Sequence, residues 1–323
     1  MRAVRIDEFG GPEVLVPVQV PDPVAGPGEV LVRVEAAGVN RADVLLRSGS
    51  YHRAGRPPLI PGLEAAGTVA AVGAGVTGVV PGQRVAVLGA GLYAELAAVP
   101  AGRVAPLPDG IGMAEAAALP VVWLTAWYCL RHLAGLEEGE TVVVQAAASG
   151  VGSAAVQIAA GLGARVIAVA GSADKASWVA SLGVRDVVDA SAADPEKEVA
   201  RLTGGSGAEV VLDTVGGPTF ALSLRQAAYA GRVVALANVA LQPSTIDTRD
   251  FYPKNATIRG FQLTNLMEHG YDPRADLREI AARVASGAYR VPVEAVVPLE
   301  RAHEAHELLE RRGNRGKIVL SVR

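Results

Sequence analysis

The stretch TVVVQAAASGVGSAAVQIAAGLGARVIAVAGSADK, residues 141–175, decides the fold. A short apolar strand runs into a loop of small residues, a helix follows, and a second apolar strand comes after it. That order sets a pyrophosphate on a helix N-terminus, where the backbone N–H groups lack partners within the helix. The glycine pattern expected there, G-x-G-x-x-G, reads Ala147, Ala148, Ser149, Gly150, Val151, Gly152. The first glycine normally allows a tight turn, the second lets backbone approach the pyrophosphate, and the third lets helix pack on strand. Ala147 and Ser149 are the next smallest choices for the first two, and Gly152 keeps the third. By itself such a loop is an ordinary tight turn; the strand–loop–helix–strand context is what makes it a dinucleotide site. In the helix, Val151, Ala155, Ile158, Ala159 and Leu162 recur at helical spacing and form one buried stripe.

The second strand selects the nucleotide. It ends Val169-Ala170-Gly171-Ser172, with no acid. An acid there would accept from the ribose 2′-hydroxyl of NAD and repel the 2′-phosphate of NADP. Gly171 and Ser172 leave the corner uncharged, and Lys175, one turn on, offers a point charge to a phosphate. Asp174 can instead turn toward a ribose, and Lys175 also reads as a solvated first-turn lysine. Taken together these residues predict NADPH.

Strands are predicted at 141–145, 165–170, 186–189, 209–213, 231–236 and 257–261, with helices between the first five. Continuous apolar strands alternating with helices imply a parallel, doubly wound α/β sheet. The first 110 residues differ. They are dense in Gly, Pro and Val, with short strand-like runs at 30–34, 67–72 and 84–87 and turn signals at Gly26-Pro27-Gly28, Pro61-Gly62 and Pro81-Gly82. This spacing predicts a β-rich, barrel-like unit. Residues 274–285 and 301–312 read as surface helices, and a last strand at 317–322 does not extend the alternation. It is assigned back to the first unit, giving one domain of 1–120 plus 262–323 and another of 121–261.

Composition narrows the partners. The 323 residues carry 30 Lys and Arg against 33 Asp and Glu, a net charge of −3, without the clustered basic excess that nucleic acid requires. One cysteine, Cys129, excludes a disulfide within the chain and a four-cysteine zinc site. The longest apolar stretch, 116–130, contains Pro120 and is shorter than the roughly 20 residues of a membrane span. The opening MRAVRIDEFG lacks the apolar core of a secretory signal. A soluble, cytoplasmic protein is expected.

GVNRADVLLRSGSY (38–51), PGLEAAGTV (61–69), the AAASGVG loop and a closing GKIVL (316–320) follow one another along the chain. Together they resemble the medium-chain dehydrogenase/reductases, and more narrowly their zinc-free, zeta-crystallin-like quinone oxidoreductase branch. The resemblance covers nearly the whole chain. It implies a GroES-like β-rich catalytic domain built from both ends of the chain, with a Rossmann-type cofactor domain inserted between. It also implies a homodimer made by pairing the sixth strand of the cofactor domain, here within 257–263. Zinc members of the superfamily hold their metal with a cysteine where this chain has Asn40, and with a histidine in a Gly-His-Glu run where it has Gly62-Leu63-Glu64. Leucine cannot ligate a metal. Among five histidines only His303 and His306, with Glu304, approach a ligand spacing, and they lie on an expected surface helix where solvation explains them. No metal is expected.

Asn40, Asp43, Arg47 and Tyr51 share one face at helical spacing. The resemblance puts this segment beside the nicotinamide, and in related enoyl thioester reductases a tyrosine at the Tyr51 position is the proton donor. Local readings compete: Asn40 as a helix cap, Asp43 and Arg47 as an i,i+4 pair, Tyr51 as turn packing. Asn40 and Tyr51 are expected to line the acceptor pocket, with Asp43 and Arg47 structural. Thr125 and Tyr128 match the family's helix that passes the nicotinamide, with Trp123 and Trp127 as core. Asn238, Phe261 and Lys317 are expected on the cofactor side, and Asp213 and Gly216 end a strand where open α/β sheets bind ligands. Two departures stand out. Leu45 replaces a tyrosine of some members, and Asp189-Ala190 stands where others carry a tyrosine beyond the second strand.

Without zinc, no Lewis acid holds an alkoxide. The chemistry expected is hydride transfer from NADPH to a quinone or enone, a small-molecule acceptor whose conjugation spreads the developing charge. The alternatives are a 2-enoyl thioester reductase and a non-catalytic NADPH-sensing or RNA-binding protein on the same fold.

Overall fold

The computed structural model describes residues 1–322. Its N-terminal part contains β1 (Arg2–Arg5), β2 (Val16–Gln19), β3 (Glu29–Val39), α1 (Arg41–Arg47), β4 (Glu64–Val72), β5 (Arg84–Leu88), β6 (Leu96–Pro100), β7 (Val104–Pro106) and α2 (Met113–Ala117). Next come α3 (Val122–Trp127), a π-helical turn (Tyr128–Leu133), β8 (Thr141–Val144), α4 (Gly150–Gly161), β9 (Arg165–Ala170), α5 (Ala173–Ala180) and β10 (Asp186–Asp189). The chain continues through α6 (Pro195–Leu202), β11 (Ala208–Asp213), α7 (Pro218–Gln226), β12 (Ala227–Ala235), β13 (Thr257–Gly260) and α8 (Leu263–Glu268). It then enters α9 (Arg274–Ala285), β14 (Val293–Pro298), α10 (Ala302–Glu310) and β15 (Lys317–Ser321).

Two compact units result: Met1–Leu124 with Asp272–Arg323, and Thr125–Tyr271. The first is organised by β3. One edge of this strand pairs antiparallel with β4, while β6 and β15 pair with its two ends on the other. The sheet runs β14-β15-β3-β4-β5-β7, and only β14 and β15 are parallel. Alternate residues such as Val30, Val32, Val85, Val87, Ile318 and Leu320 fill its core. The register Ile318↔Val39 brings the start of β15 to the end of β3, and that sets up the polar cluster described below.

The second unit is a six-stranded, wholly parallel sheet of order β10-β9-β8-β11-β12-β13. The winding reverses between β8 and β11, the switch point at which open α/β sheets bind ligands. Val142, Val143 and Val144 are fully buried, as continuous apolar strands covered on both faces must be. The predicted strands recur with small shifts. The fifth begins at Ala227 rather than 231, because Ala230 takes φ +55 and an irregular register carries pairing back to Ala208. Residues 262–271, expected with the catalytic domain, belong by contact to the sheet unit, where the Tyr271 ring meets Tyr128. Among the described residues no helix is long and apolar enough to cross a membrane.

Candidate functional site

In the sheet unit the β8–α4 turn starts at Ala146, whose φ is +46. Ala147 donates its N–H to the Val169 carbonyl at 2.8 Å, tying the turn to β9. Ser149 caps α4, its Oγ accepting from Gly152 N at 3.1 Å. The next donors, on Gly150 and Val151, lie in the first turn, where a helix supplies no acceptor. Gly152 is obligatory: a Cβ there would stand 2.4 Å from the Ala146 oxygen and 2.7 Å from Ala147 Cα. Space at the end of β9 is the opposite, with nothing within 4 Å of a Cβ built on Gly171. Ser172 caps α5 through Lys175 N at 3.4 Å, so the Lys175 side chain leaves from the first turn, beside exposed Asp174.

At the ends of β11 and β12 the buried Asp213 braces a loop. Its Oδ1 accepts from Val215 N and Gly216 N, both at 2.8 Å, and its Oδ2 from Ser223 Oγ at 2.9 Å. With these three bonds and no exposed surface, Asp213 braces the loop from inside. Gly216, at φ +72, leaves no room for a Cβ against the Ala237 carbonyl, 2.7 Å away. The β11 and β12 loops therefore touch, and exposed Asn238 holds its own turn by donating to the Gln242 carbonyl at 3.0 Å.

Thr125 is buried near the end of α3. Tyr128 opens the π-helical turn, a departure that widens the helix and re-aims side chains. Its ring lies 4.9 Å from that of Tyr271 and 5.7 Å from that of Phe261. Tyr128 and Phe261 line one wall of a cavity of about 470 Å³, with Gln262, Asn265, Leu266 and His269 around the rest.

The other unit holds a buried polar cluster at the β3–α1 junction. Lys317 Nζ donates to the Val39 carbonyl at 2.7 Å, to Asn40 Oδ1 at 2.6 Å, and pairs with Glu64 Oε1 at 2.6 Å. Asn40 Nδ2 donates to the same Glu64 oxygen at 2.8 Å, and Glu64 Oε2 accepts from Val121 N at 2.6 Å. Asp43, on the first turn of α1, accepts from Asn40 N at 2.8 Å and from Tyr93 OH at 3.2 Å. Tyr93 OH also lies 3.3 Å from His306 Nε2 on α10. Burial pushes the Asp43 carboxyl up to about 7, against the pull of the Asn40 N–H and the Lys317 charge. Burial, helped by Arg47 and Arg41, pushes His306 down to about 3.

Three expectations change here. Lys317 was assigned to the cofactor, but it is 4% exposed and its three donors are taken by Val39, Asn40 and Glu64. His306 is fully buried against Tyr93 rather than solvated, while His303 faces outward. Asp43 and Arg47 do not pair: Arg47 reaches Glu310 on α10, and Asp43 bonds inward. Asn40 begins α1 as its cap position, yet its side chain serves Glu64 and Lys317. Tyr51 follows α1, half-buried, its ring 4.7 Å from that of His52. No group of three potential metal ligands occurs among the described residues. Glu64, Tyr93 and His306 went unnoticed as members of a cluster. The available signal was charge inside apolar strands, Glu64 in LEAAG and Lys317 in KIVL.

Known proteins share this architecture. Residues 26–109 match the alcohol dehydrogenase GroES-like domain, and residues 150–286 match the zinc-binding dehydrogenase family. The quinone oxidoreductase of Sus scrofa is 32% identical over 99% of this chain and 97% of its own length. The crystal structure of Escherichia coli quinone oxidoreductase complexed with NADPH is 30% identical, with a TM-score of 0.92 over 99% of this chain and 100% of that one. An NAD-dependent alcohol dehydrogenase structure is 36% identical, with a TM-score of 0.91 over all of both chains. The chain belongs to the medium-chain dehydrogenase/reductase superfamily, in its quinone oxidoreductase branch. It is an oxidoreductase, with a Rossmann-type sheet inserted in a GroES-like β-rich domain.

Proposed function

We propose that this protein is a zinc-independent, NADPH-dependent reductase of quinones and related conjugated carbonyls. The observation that carries the reading is the Lys317 ammonium, buried 2.6 Å from Asn40 Oδ1. A divalent ion beside Asn40 would have to share that space with a fixed positive charge, and Leu63 offers it no ligand. Alcohol oxidation then lacks its Lewis acid, whereas a quinone spreads incoming charge over its own conjugated system and needs only modest hydrogen bonding.

The cofactor half fits a dinucleotide. The first-turn N–H groups of Gly150 and Val151 suit a pyrophosphate, and the tight Gly152 contact holds α4 against the turn. The open, uncharged corner at Gly171 and Ser172, with Lys175 on the first turn of α5, suits the 2′-phosphate of NADPH. Thr125, Tyr128, Asn238 and Phe261 are the candidates on the nicotinamide side. When bound, NADPH supplies the hydride. Asn40 and Tyr51 line the acceptor site, where Asn40 hydrogen-bonds the oxygen that gains charge. The reduced quinone takes its proton from water or from the Tyr51 hydroxyl. Exposed β13 at the sheet edge pairs with a second copy to give a homodimer, and the enzyme works in the cytoplasm.

An acceptor screen tests this. NADPH and NADH are each offered with 1,4-quinones, 2-alkenals and crotonyl-CoA, before and after dialysis against a chelator. Quinone turnover with NADPH, unchanged by the chelator, is expected. Turnover of crotonyl-CoA alone would assign the protein to thioester reduction. Activity lost on chelation and restored by zinc would end the metal-free reading.

A further inference from the structure

We propose that Lys317 and Glu64 form a positioning pair for Asn40, fixing its carboxamide so that one Nδ2–H is held for the oxygen of the acceptor. The inference rests on the reading above, in which Asn40 faces that oxygen. An ammonium can only donate and a carboxylate can only accept. Lys317 on one side and Glu64 on the other therefore dictate which end of the amide is oxygen and which is nitrogen, and a flipped amide would lose both bonds. An Asn amide nitrogen carries two hydrogens. One goes to Glu64, and the other has no acceptor among the described residues, while Asn40 remains 6% exposed.

The frame around the amide is rigid. Glu64 is fully buried and Lys317 is 4% exposed. Glu64 Oε2 is anchored by Val121 N, and Lys317 by the Val39 carbonyl. Gly38 makes room for this: a Cβ there would stand 2.4 Å from Glu64 Oε1 and 2.5 Å from the Ala117 oxygen. Simple stability does not explain the arrangement, because a buried ion pair is commonly replaceable by apolar side chains without loss. A donor held still where charge develops needs such a frame, since its value lies in not having to reorganise during the reaction.

No bond to Lys317 or Glu64 forms or breaks in this scheme. The acceptor gains two electrons and two protons: the electrons and one proton arrive as hydride from NADPH, which becomes NADP⁺, the second proton comes from water or Tyr51, and Asn40 only hydrogen-bonds the oxygen that becomes negative.

The test is a double-mutant cycle on kcat/KM for a 1,4-quinone, with equilibrium binding of a non-reducible hydroquinone analogue measured beside it. Asn40→Ala is expected to lower kcat/KM roughly a hundred- to a thousandfold, as loss of one oxyanion donor does. Lys317→Met should cause a comparable loss in the parent and less than about a twofold further loss in the Asn40→Ala background. Binding of the analogue should weaken in parallel, while the NADPH dissociation constant stays within about twofold. Lys317→Arg, which keeps a cationic donor, should recover part of the loss. If Lys317→Met fails to fold because Glu64 is stranded, the neutral pair Glu64→Gln with Lys317→Met takes its place in the cycle. Losses that multiply independently would overturn the positioning role, as would an unchanged analogue affinity. A parent enzyme that reduces no quinone would instead overturn the functional reading, and the same cycle run on its true acceptor would still decide the role of Lys317.

Discussion

Replacing Gly152 with alanine tests whether the β8–α4 turn is held by close contact and serves the cofactor. The added methyl would stand 2.4 Å from the Ala146 oxygen, 2.7 Å from Ala147 Cα and 2.8 Å from the Ala147 carbonyl carbon. Comfortable carbon contacts lie near 3.5 Å, so α4 and the turn must separate by about an ångström. All three neighbours are backbone, and Ala147 is itself tied to β9, so no side chain can swing aside. Overpacking of this kind costs about 1–3 kcal/mol, which at about 2–4 °C per kcal/mol lowers the thermal midpoint by roughly 2–12 °C. On the proposed reading, the same displacement would lengthen the hydrogen bonds that Gly150 and Val151 give the pyrophosphate. Losing one charge-assisted bond costs on the order of 1.5–3 kcal/mol, about ten- to a hundredfold in NADPH affinity. Gly171→Ala is the internal control. Nothing in the protein lies within 4 Å of its Cβ, so the midpoint should barely move. Calorimetry and nucleotide fluorescence titration read both quantities. A Gly152→Ala protein that melts lower yet binds NADPH as tightly as its parent would refute the assignment of the cofactor to this helix.

Lys175→Ala should raise the NADPH dissociation constant roughly ten- to a hundredfold and leave that for NADH unchanged; equal weakening of both would mean that Lys175 supports the loop instead. Asp43 links stability to pH. Its folded value near 7 lies above the roughly 3.9 of an unfolded chain. Its contribution is therefore full below about pH 4 and is lost as pH rises to about 7. Relative to Asp43→Asn, the parent should lose stability in urea between pH 5 and pH 8, and parallel profiles would contradict the burial argument. Sedimentation at micromolar concentration should show a dimer, and Ile258→Lys, placed on the exposed β13 edge, should yield monomers. A stable parent monomer would remove that interface.

The sheet unit was readable because its information is local. Buried parallel strands such as Thr141–Val144 must be continuously apolar, and the glycine at 152 follows from a backbone clash that any sequence must avoid. The polar cluster was not readable in the same way. Asn40 and Lys317 are separated by 277 positions, Tyr93 and His306 by 213, and no periodicity links them. His303 and His306 illustrate the limit. Spacing put them on one helix, but only packing against Tyr93 decides that one is buried. Thr125 and Tyr128 stand out only through the resemblance. The π-helical turn that carries Tyr128 left no mark in its sequence, YCLRHL, which suits an ordinary helix equally well.

The place of β15 in the sheet has a consequence for synthesis. This strand completes one edge of β3, yet the ribosome makes β3 and β4 long before it and must translate the whole inserted unit in between. The parallel sheet of Thr125–Tyr271 has all its strands once Gly260 emerges and can fold as a unit on the nascent chain. The β-rich unit lacks the cation that pairs with buried Glu64 until Lys317 has been made. Synthesis order thus leaves the β-rich unit one strand short while the parallel sheet already has all of its own.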